Sequence, residues 1–310
     1  MTKPVVLIST RSFSTGNVDL FKILNDSGCE VRKISINHDV NEIKADLNDA
    51  VAWIAGVAPI TDEMLSLAPN LKIISRYGVG VDAVDLESAK KRGVLVANTP
   101  GANSNSVAEL ALAHILSALR KLPISNSNVR ASDWSPIRGQ EINGLIIGIV
   151  GYGKIGRLVA QKLSLLGAKI LIYDPFVTDV QTVDLDTLNK KSQLVTLHTP
   201  GNEVIINKSW IDKALAGQII INTARANLIN ESDVAEGLRS DKLSFYAADS
   251  ISNENSVSES PLLSSDLASK TLFTPHLGAQ TIEAIDLMGS MAVENVLAVL
   301  ANKPVRNLLS

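Results

Sequence analysis

The feature that most constrains the fold is the stretch of residues 145–174, in which two short apolar runs flank a helical pattern. The first run, residues 145–150, is partly β-branched and has a length typical of a buried strand. Helical spacing of apolar residues then continues up to Gly167, which suits the end of a helix. Residues 169–173 form the second run. A strand, a helix and another strand in this order predict two parallel strands of an α/β domain.

The glycines between the first strand and the helix have the spacing G-x-G-x-x-G and are Gly151, Gly153 and Gly156. The first permits a tight turn, the second lets backbone approach a pyrophosphate at the positive end of the helix, and the third lets helix and strand pack closely. Asp174 ends the second strand, 18 residues after Gly156, where it can accept hydrogen bonds from a ribose diol. Because its charge would repel a 2′-phosphate, the pattern predicts NAD rather than NADP. The glycines alone would also fit an ordinary turn, but the strands, helix and terminal acid favour a dinucleotide.

Length and composition define the class of protein. A chain of 310 residues exceeds the usual size of one hydrophobic core, so two domains are expected. The net charge of −3 gives no support for nucleic-acid binding. The single cysteine, Cys29, cannot form an intrachain disulfide, which is typical of a reducing compartment. Apolar runs are too short for a signal peptide or a membrane span, so we expect a cytoplasmic protein with no membrane partner and no metal site.

The first hundred residues alternate strand-like and helical patterns, as doubly wound α/β domains do. The predicted strands are residues 5–8, 31–34, 51–54, 71–74 and 94–96. The loop of residues 76–82 follows the fourth of them and contains two glycines. Backbone N–H groups at the carboxyl end of a parallel strand could hold a carboxylate there, because open sheets bind ligands at that edge. A simple turn between strand and helix is an equally good interpretation of this loop alone.

A break at residues 99–101, followed by a helical pattern over residues 103–119, marks the expected crossing between domains. His114 lies among apolar residues of this helix and is interpreted as a packed side chain rather than a ligand. Residues 121–144 are more polar but include Trp134. They are interpreted as a protruding connection that packs on another subunit.

The remaining chain continues the alternation, with strands predicted at residues 194–197, 218–221, 245–248 and 272–273 and helices at 209–214 and 231–239. Residues 250–260 are polar and predict a loop, and the helix at residues 281–300 is expected to return to the first domain. We therefore predict two doubly wound parallel-sheet domains. Residues 1–100 plus 280–310 would form a flavodoxin-like substrate domain, and residues 101–279 a Rossmann NAD-binding domain.

Hydride transfer to a carbonyl requires a proton donor, a group that positions the donor, and a cation for the carbonyl and an adjacent carboxylate. Three side chains with these properties follow three successive predicted strands, and they are Arg225, Glu254 and His276. Because carboxyl ends of parallel strands share one edge of a sheet, we expect the three side chains to meet.

Motifs spread over nearly the whole chain resemble the D-isomer-specific 2-hydroxyacid dehydrogenase family. They are RYGVGVD at 76–82, NTPGANSNSVAELAL at 98–112, GYGKIG at 151–156, YDP at 173–175, HTP at 198–200, NTARANLIN at 222–230 and TPHLGA at 274–279. The resemblance implies that Arg225, Glu254 and His276 are catalytic. His276 would be the acid in reduction and the base in oxidation, and Glu254 would hydrogen-bond its imidazole and favour the protonated form. Arg225 would bind the substrate carboxylate and carbonyl.

The resemblance also implies the ligand-binding residues. The backbone of Val79 and Gly80, together with Asn103, would complete the substrate site formed with Arg225 and His276. The predicted NAD-binding residues are Gly151, Tyr152, Gly153, Lys154, Ile155, Gly156, Asp174, His198, Thr199, Pro200, Thr223, Ala224, Asp249 and Gly278.

Within that set, the resemblance has Asp249 and Ala224 contact the nicotinamide carboxamide. Thr199 and Pro200 would flank the cofactor, and His198 would be a wall of the adenine region rather than a catalyst.

Two features depart from the family pattern. The glutamate loop of the family usually begins Asp-Val-Phe and ends Glu-Pro, whereas residues 249–255 read DSISNEN. The separation of 29 residues between Arg225 and Glu254 still fits the family, which favours Glu254 over Glu259. The arginine is followed by Ala226 where the family frequently has glycine.

Together these features predict an NAD-dependent oxidoreductase that interconverts a 2-oxoacid and a D-2-hydroxyacid, with oxidation of 3-phosphoglycerate as one candidate reaction. Residues 55–61 lack the arginine that phosphoglycerate dehydrogenases of the family often carry, so a phosphate would depend on Arg11, Arg76 or Arg138. The alternative is an NAD(H)-binding, corepressor-like regulatory module without significant turnover. A homodimer built around residues 101–144 and the lack of a C-terminal regulatory domain are further expectations.

Overall fold

The computed structural model describes residues 3–201, 203–252, 254 and 259–309. Residue contacts divide the chain into two compact units, Met1–Asn103 with Ala279–Ser310 (unit 1) and Ser104–Gly278 (unit 2). The sequence placed these borders after residues 100 and 279. The observed borders differ because Ala102 and Ala279 both pack in a hydrophobic core of unit 1.

Unit 1 is built on a parallel sheet of five short strands. The strands are β1 (Val5–Ser9), β2 (Glu30–Lys33), β3 (Ala50–Ala55), β4 (Ile73–Arg76) and β5 (Leu95–Ala97), in the order β2-β1-β3-β4-β5. The order reverses between β1 and β3, which is the position where doubly wound sheets open a ligand crevice. The predicted flavodoxin-like fold is therefore confirmed for this unit.

The helices of unit 1 begin at side chains that cap their free N–H groups. They are α1 (Leu20–Asp26), α2 (Val40–Asp49), α3 (Asp62–Ser66) and α4 (Leu86–Lys91), capped by Asp19, Asp39, Thr61 and Asp85. The helix that closes the chain, which we number last as α11 (Ile282–Leu300), packs on β3 and β4, as the sequence predicted. Its Met288, Val293 and Val296 are buried in a core of this unit.

Unit 2 is built on a second parallel sheet, of six strands. The strands are β6 (Ile146–Val150), β7 (Lys169–Tyr173), β8 (Leu194–Leu197), β9 (Gln218–Asn222), β10 (Leu243–Ala248) and β11 (Thr271–Phe273), in the order β11-β10-β9-β8-β6-β7. The order reverses between β6 and β8, directly beside the glycine-rich loop. The predicted doubly wound, Rossmann-type domain is confirmed.

Helices cover both faces of this sheet. They are α5 (Ser104–Leu119), α6 (Leu122–Arg130), α7 (Lys154–Leu165), α8 (Leu185–Lys191), α9 (Lys208–Lys213) and α10 (Glu231–Arg239). Apolar residues of α5 and α7, such as Ile115 and Leu163, form one core with the sheet. Residues of α8, α9 and α10, such as Trp210 and Leu238, form the other.

Two sequence predictions were wrong in detail. Residues 122–130, interpreted from the sequence as part of a protruding connection, form α6. This helix has no buried residue, so no core-facing apolar stripe marks it in the sequence. Strand β4 comprises Ile73–Arg76. It begins at Ile73 rather than at residue 71 because Leu71 N donates a hydrogen bond to Ala68 O, which holds Leu71 in a turn.

Other predictions concern the loop of residues 250–260 and the membrane. Residues 253 and 255–258 of that loop lie outside the described residues. Among the helices of the described ranges, none has the length and apolar character required to span a membrane.

Candidate functional site

The glycine-rich loop of unit 2 connects β6 to α7, and its three glycines have different surroundings. Gly151 has a φ of +91°, and a Cβ there would lie 2.7 Å from the backbone carbonyl of His198. A Cβ on Gly156 would overlap the carbonyl oxygen of Gly151. Gly153 caps α7, and a Cβ there would have no atom within 4 Å. The first and third glycines are thus required by packing, while the second leaves open space in front of the helix N-terminus, where a phosphate binds.

Asp174 ties the end of β7 to the glycine-rich loop. Its Oδ2 accepts a hydrogen bond from Tyr152 N at 2.6 Å, and its Oδ1 accepts one from Phe176 N at 2.9 Å. Each carboxylate oxygen retains further acceptor capacity, so both bonds are compatible with the predicted contact to a ribose diol. The acid therefore has a structural task in addition to the one expected from its sequence position.

Buried polar atoms without a hydrogen-bond partner collect at the carboxyl ends of β8 and β9. Within the described part of the chain they include His198 Nδ1, Thr199 Oγ1 and Thr223 Oγ1. Such atoms are costly unless a ligand or water pairs with them. They lie where the predicted cofactor would pass, so the residues present fit a dinucleotide.

His198 is not equipped to move protons. Its Nε2 lies 3.0 Å from Thr196 Oγ1, and burial lowers its pKa to about 3. A neutral imidazole of this kind is not protonated near neutral pH, and a place for His198 in the wall of the adenine region stays a prediction.

Asp249 organises the loop that carries His276. Its carboxylate, which follows β10 and is 4% exposed, accepts hydrogen bonds from Thr274 Oγ1 at 2.5 Å, from Leu277 N at 2.7 Å and from Gly278 N at 2.7 Å. These donors precede and follow His276 in the chain, so one buried acid holds both sides of the residue. A nicotinamide contact by Asp249 would have to share an oxygen that already accepts from the protein.

His276 and Glu254 form a hydrogen-bonded pair. His276 Nδ1 lies 3.0 Å from Glu254 Oε1 and 3.3 Å from Oε2. Because the carboxylate can only accept, Nδ1 carries the proton and Nε2 is left for a ligand. The two side chains are 47% and 44% exposed, which leaves them accessible to a small molecule.

The charges around His276 act on its pKa in opposite directions. The hydrogen bond to Glu254 raises the pKa above its usual value of 6.5, and the negative charges of Glu254 and Asp249 act in the same direction. Burial and the positive charge of Arg225 oppose this rise without cancelling it. The imidazole is therefore biased towards its protonated form, as expected of a proton donor.

Arg225 lies in the loop after β9, and the last residue of that strand shapes the loop. Asn222 Nδ2 donates to Arg225 O at 2.8 Å, and Asn222 Oδ1 accepts from Ala224 N at 3.0 Å. The guanidinium Nη1 donates to Ala224 O at 3.1 Å. Arg225, Glu254 and His276 thus follow three adjacent strands, β9, β10 and β11, and the charge of Arg225 is felt at His276.

In unit 1, the loop after β4 has two carbonyl groups that accept hydrogen bonds from side chains. Asn98 Nδ2 donates to Val79 O at 2.7 Å, and Arg76 Nε donates to Gly80 O at 3.1 Å, while Gly78 has a φ of +143°. Among the described residues, no backbone hydrogen bond uses the N–H of Val79 or Gly80. The loop therefore has two amide donors that no backbone carbonyl uses, which suits an anion.

The other predicted substrate residue of unit 1 is Asn103, whose Oδ1 is buried and without a partner among the residues described. The same ranges contain no group of three or more His, Cys, Asp and Glu side chains that could hold a metal ion.

Sequence reasoning missed three residues that support this site, which are Asn222, Thr274 and Glu231. A polar residue at the end of an otherwise apolar strand was the available signal for Asn222. Glu231 accepts hydrogen bonds from Ser252 N and Ser260 Oγ, at 2.8 Å and 2.6 Å. Nothing in the sequence marks that role, because a glutamate in the first turn of a helix is ordinary.

Comparison with known proteins gives a consistent result. Residues 112–278 match the family model described as D-isomer specific 2-hydroxyacid dehydrogenase, NAD binding domain. The chain is 36% identical to a D-3-phosphoglycerate dehydrogenase of Mycobacterium bovis over 98% of its own length, but it spans only 58% of that relative. It is 37% identical to a hydroxypyruvate reductase of Thermotoga maritima, over 79% of this chain and 83% of the relative.

A solved structure shows the same architecture. The TT0316 protein of Thermus thermophilus has a TM-score of 0.90 and 28% identity, with 99% of this chain and all of that chain covered. The family match covers the glycine-rich loop, Asp174 and the residues after β9, so NAD is the cofactor for which unit 2 is built. From these matches and this geometry, the chain belongs to the D-isomer-specific 2-hydroxyacid dehydrogenase family.

Proposed function

We propose that the protein is an NAD-dependent oxidoreductase that interconverts a 2-oxoacid and a D-2-hydroxyacid. The observation that carries the proposal is the His276–Glu254 pair, with Nδ1 and Oε1 3.0 Å apart, at the sheet edge that also presents Arg225. A proton donor with a raised pKa beside a guanidinium is the arrangement that reduction of a keto acid requires.

In the proposed mechanism, the glycine-rich loop and Asp174 would hold NAD(H), which when bound would supply the hydride chemistry at the substrate carbonyl. His276 gives the proton on Nε2 to the carbonyl oxygen, and Glu254 stabilises the imidazolium before the transfer. Arg225 holds the substrate carboxylate and polarises the carbonyl through its planar set of donors. In the opposite direction, neutral His276 would accept the hydroxyl proton of the substrate.

We further propose that the amides of Val79 and Gly80 and the side chain of Asn103 bind the substrate carboxylate. Support comes from the two amides that no backbone hydrogen bond uses within the described ranges, and Asn103 could add a donor through its Nδ2 group. A nest of amide donors can hold a carboxylate without a charged side chain.

The D-3-phosphoglycerate dehydrogenase relative makes 3-phosphoglycerate one proposed substrate. Arg76 is poorly suited to bind its phosphate, because the side chain is 4% exposed and donates to Ala55 O and Gly80 O at 2.6 Å and 3.1 Å. Of the three arginines considered, Arg11 and Arg138 are exposed. A substrate with a second anionic group, such as a phosphate, would therefore depend on Arg11 or Arg138 to bind that group.

The test is NADH oxidation with 3-phosphohydroxypyruvate, hydroxypyruvate, glyoxylate, pyruvate and 2-oxoisocaproate, followed by absorbance. We expect turnover with at least one of them and much weaker turnover with NADPH, because Asp174 would face the 2′-phosphate. Tight NADH binding without oxidation of any 2-oxoacid would instead support the corepressor-like alternative. A cytoplasmic location stays a prediction of the sequence.

We propose a homodimer formed through the segment around α6. Apolar side chains are exposed there, including Leu122 (51%), Val129 (49%) and Trp134 (85%). Exposed apolar side chains in one region mark an interaction surface. Trp134→Ser should weaken the dimer at least roughly tenfold, because a buried tryptophan is often an interface hot spot.

The dimer prediction is measured by light scattering over a concentration series. Leu165→Ser is the matched control, because Leu165 is 82% exposed in α7, outside the segment. The prediction would be wrong if Trp134→Ser had the molar mass of the unmodified protein at every concentration, or if the unmodified protein were monomeric.

Two glycine variants should separate binding from folding. Gly153→Ala leaves the packing intact, since nothing lies within 4 Å of the added methyl, but it fills the space in front of α7. We expect NADH affinity to fall at least roughly tenfold, about 1.4 kcal/mol, with an unchanged Tm. Gly156→Ala forces its methyl against Gly151 O and should lower stability by roughly 1–3 kcal/mol.

NADH fluorescence titration and thermal unfolding measure the two effects. Equal loss of stability in both variants would contradict the assignment, as would unchanged NADH affinity in Gly153→Ala.

A further inference from the structure

Glu231 connects the two flanks of the segment that carries Glu254. It is the first residue of α10, and its Oε1 accepts a hydrogen bond from Ser252 N at 2.8 Å. Its Oε2 accepts one from Ser260 Oγ at 2.6 Å. Ser252 precedes Glu254 by two residues and Ser260 follows it by six, so one carboxylate fastens both sides.

The base of this connection is rigid. Helix α10 buries Val234 and Leu238 in a core of unit 2 and packs on β10. Ser260, which is 9% exposed, also accepts a hydrogen bond from Leu262 N at 3.3 Å and so caps the turn Pro261–Leu263. A side chain fixed at its base can set the position of a loop that is otherwise polar.

Glu254 needs such support because of where it lies. Its hydrogen bonds within the described chain are those to His276 Nδ1, at 3.0 Å and 3.3 Å. A hydrogen bond between two partly exposed side chains is weak unless their backbones are held, because ordering long side chains costs entropy. Asp249 holds the His276 loop by three hydrogen bonds, and Glu231 holds the Glu254 segment by two.

We propose that Glu231 is a positioning residue that acts through Glu254, holding this carboxylate against His276 Nδ1. The proposal rests on the proposed function, in which His276 moves the proton. The charged groups that face His276 are Glu254, Asp249 and Arg225. In this proposal Glu231 affects His276 only by positioning Glu254.

The central experiment is a double-mutant cycle on kcat for 2-oxoacid reduction, with Glu231→Ala, Glu254→Gln and the double variant. Glu231→Ala should lower kcat roughly tenfold, because Glu254 is no longer held against the imidazole of His276, while NADH affinity is unchanged. In the Glu254→Gln background the same change should lower kcat less than roughly twofold, because the partner it acts through is already altered. A further tenfold loss in that background would overturn the proposal.

The second readout does not need turnover. The pKa of His276, followed by NMR of labelled histidine and assigned with His276→Gln, should fall in Glu231→Ala because the raising partner is no longer held. If the unmodified protein reduces no 2-oxoacid but this pKa still falls, the proposed function fails and the positioning role stands. If the protein turns over and both kcat and the pKa are unchanged in Glu231→Ala, the positioning role fails alone.

Three further variants separate positioning from stability. Glu231→Gln should be close to the unmodified protein, because the amide oxygen can accept from Ser252 N and the amide N–H can donate to Ser260 Oγ. Ser260→Ala, which removes one of the two anchors, should shift kcat and the pKa in the same direction as Glu231→Ala but by less, and it covers the case in which Glu231→Ala does not fold. Glu236→Ala, an exposed glutamate on the same helix, should change neither. A Glu231→Gln variant as impaired as Glu231→Ala would contradict the hydrogen-bond assignment.

Discussion

His276→Ala is expected to lower kcat for 2-oxoacid reduction roughly 10³-fold, because it removes the proposed proton donor of the transition state. NADH affinity should change little, since the glycine-rich loop and Asp174 lie after other strands, β6 and β7. His276→Gln keeps an N–H donor for Glu254 but cannot transfer a proton, so it should be as impaired as the alanine variant. Steady-state kinetics and fluorescence titration measure the two quantities.

The pH dependence gives an independent check on the same residue. Glu254 raises the pKa of His276, so the protonated imidazole needed for reduction persists to higher pH and is lost only as the pH rises through that raised pKa. Oxidation needs the neutral form and should increase over the same interval. Glu254→Gln should move the pH profiles of both reduction and oxidation to lower pH.

Retention of more than a tenth of the unmodified kcat by His276→Ala would exclude His276 as the proton donor.

Arg225→Gln is expected to lower kcat/KM for the 2-oxoacid roughly 10²- to 10³-fold. The loss has two origins, because the guanidinium would both bind the substrate carboxylate and stabilise charge developing on the carbonyl oxygen. Loss of binding to both the ground state and the transition state should raise KM, and loss of stabilisation of the transition state alone should lower kcat. Arg225→Lys retains the charge without the planar pair of donors and should recover only part of the activity.

The matched control for this residue is Arg239→Gln. Arg239 is an arginine of the same unit that lies in α10 and pairs with Asp266 at 2.8 Å. It should leave kcat/KM unchanged. An Arg225→Gln variant with unchanged KM and kcat would show that the carboxylate and carbonyl are bound elsewhere.

Local patterns in the sequence were sufficient for most of the helices and strands. The helix at residues 231–239 was predicted with the observed ends, and in the structure it is capped by the side chain of Asn230. The α6 helix was missed because none of its residues is buried, so its sequence has no apolar stripe. The start of β4 was misplaced because a turn at Leu71, rather than apolar character, decides where the strand begins.

The candidate site likewise has features that the sequence could predict and features that it could not. Arg225, Glu254 and His276 could be chosen from the sequence because each follows a strand, and parallel strands bring their carboxyl ends to one edge. The pairing of Glu254 with His276 could be expected from the family motif, but its distance and its effect on the pKa could not. The contacts of Asp249 with residues 274–278, and of Glu231 with Ser252 and Ser260, carry no signal in the sequence.

By itself, the sequence determined the two α/β domains, the dinucleotide loop and the residue types of the site, because these depend on patterns within about 30 residues of chain. The tertiary structure alone decided which side chains hold the loops of the proposed catalytic residues in place. Asp249 and Thr274 are 25 residues apart, and Glu231 and Ser260 are 29 residues apart. Hydrogen bonds between such residues depend on how the strands between them are ordered in the sheet, and that order is set by packing of the whole unit rather than by any local pattern.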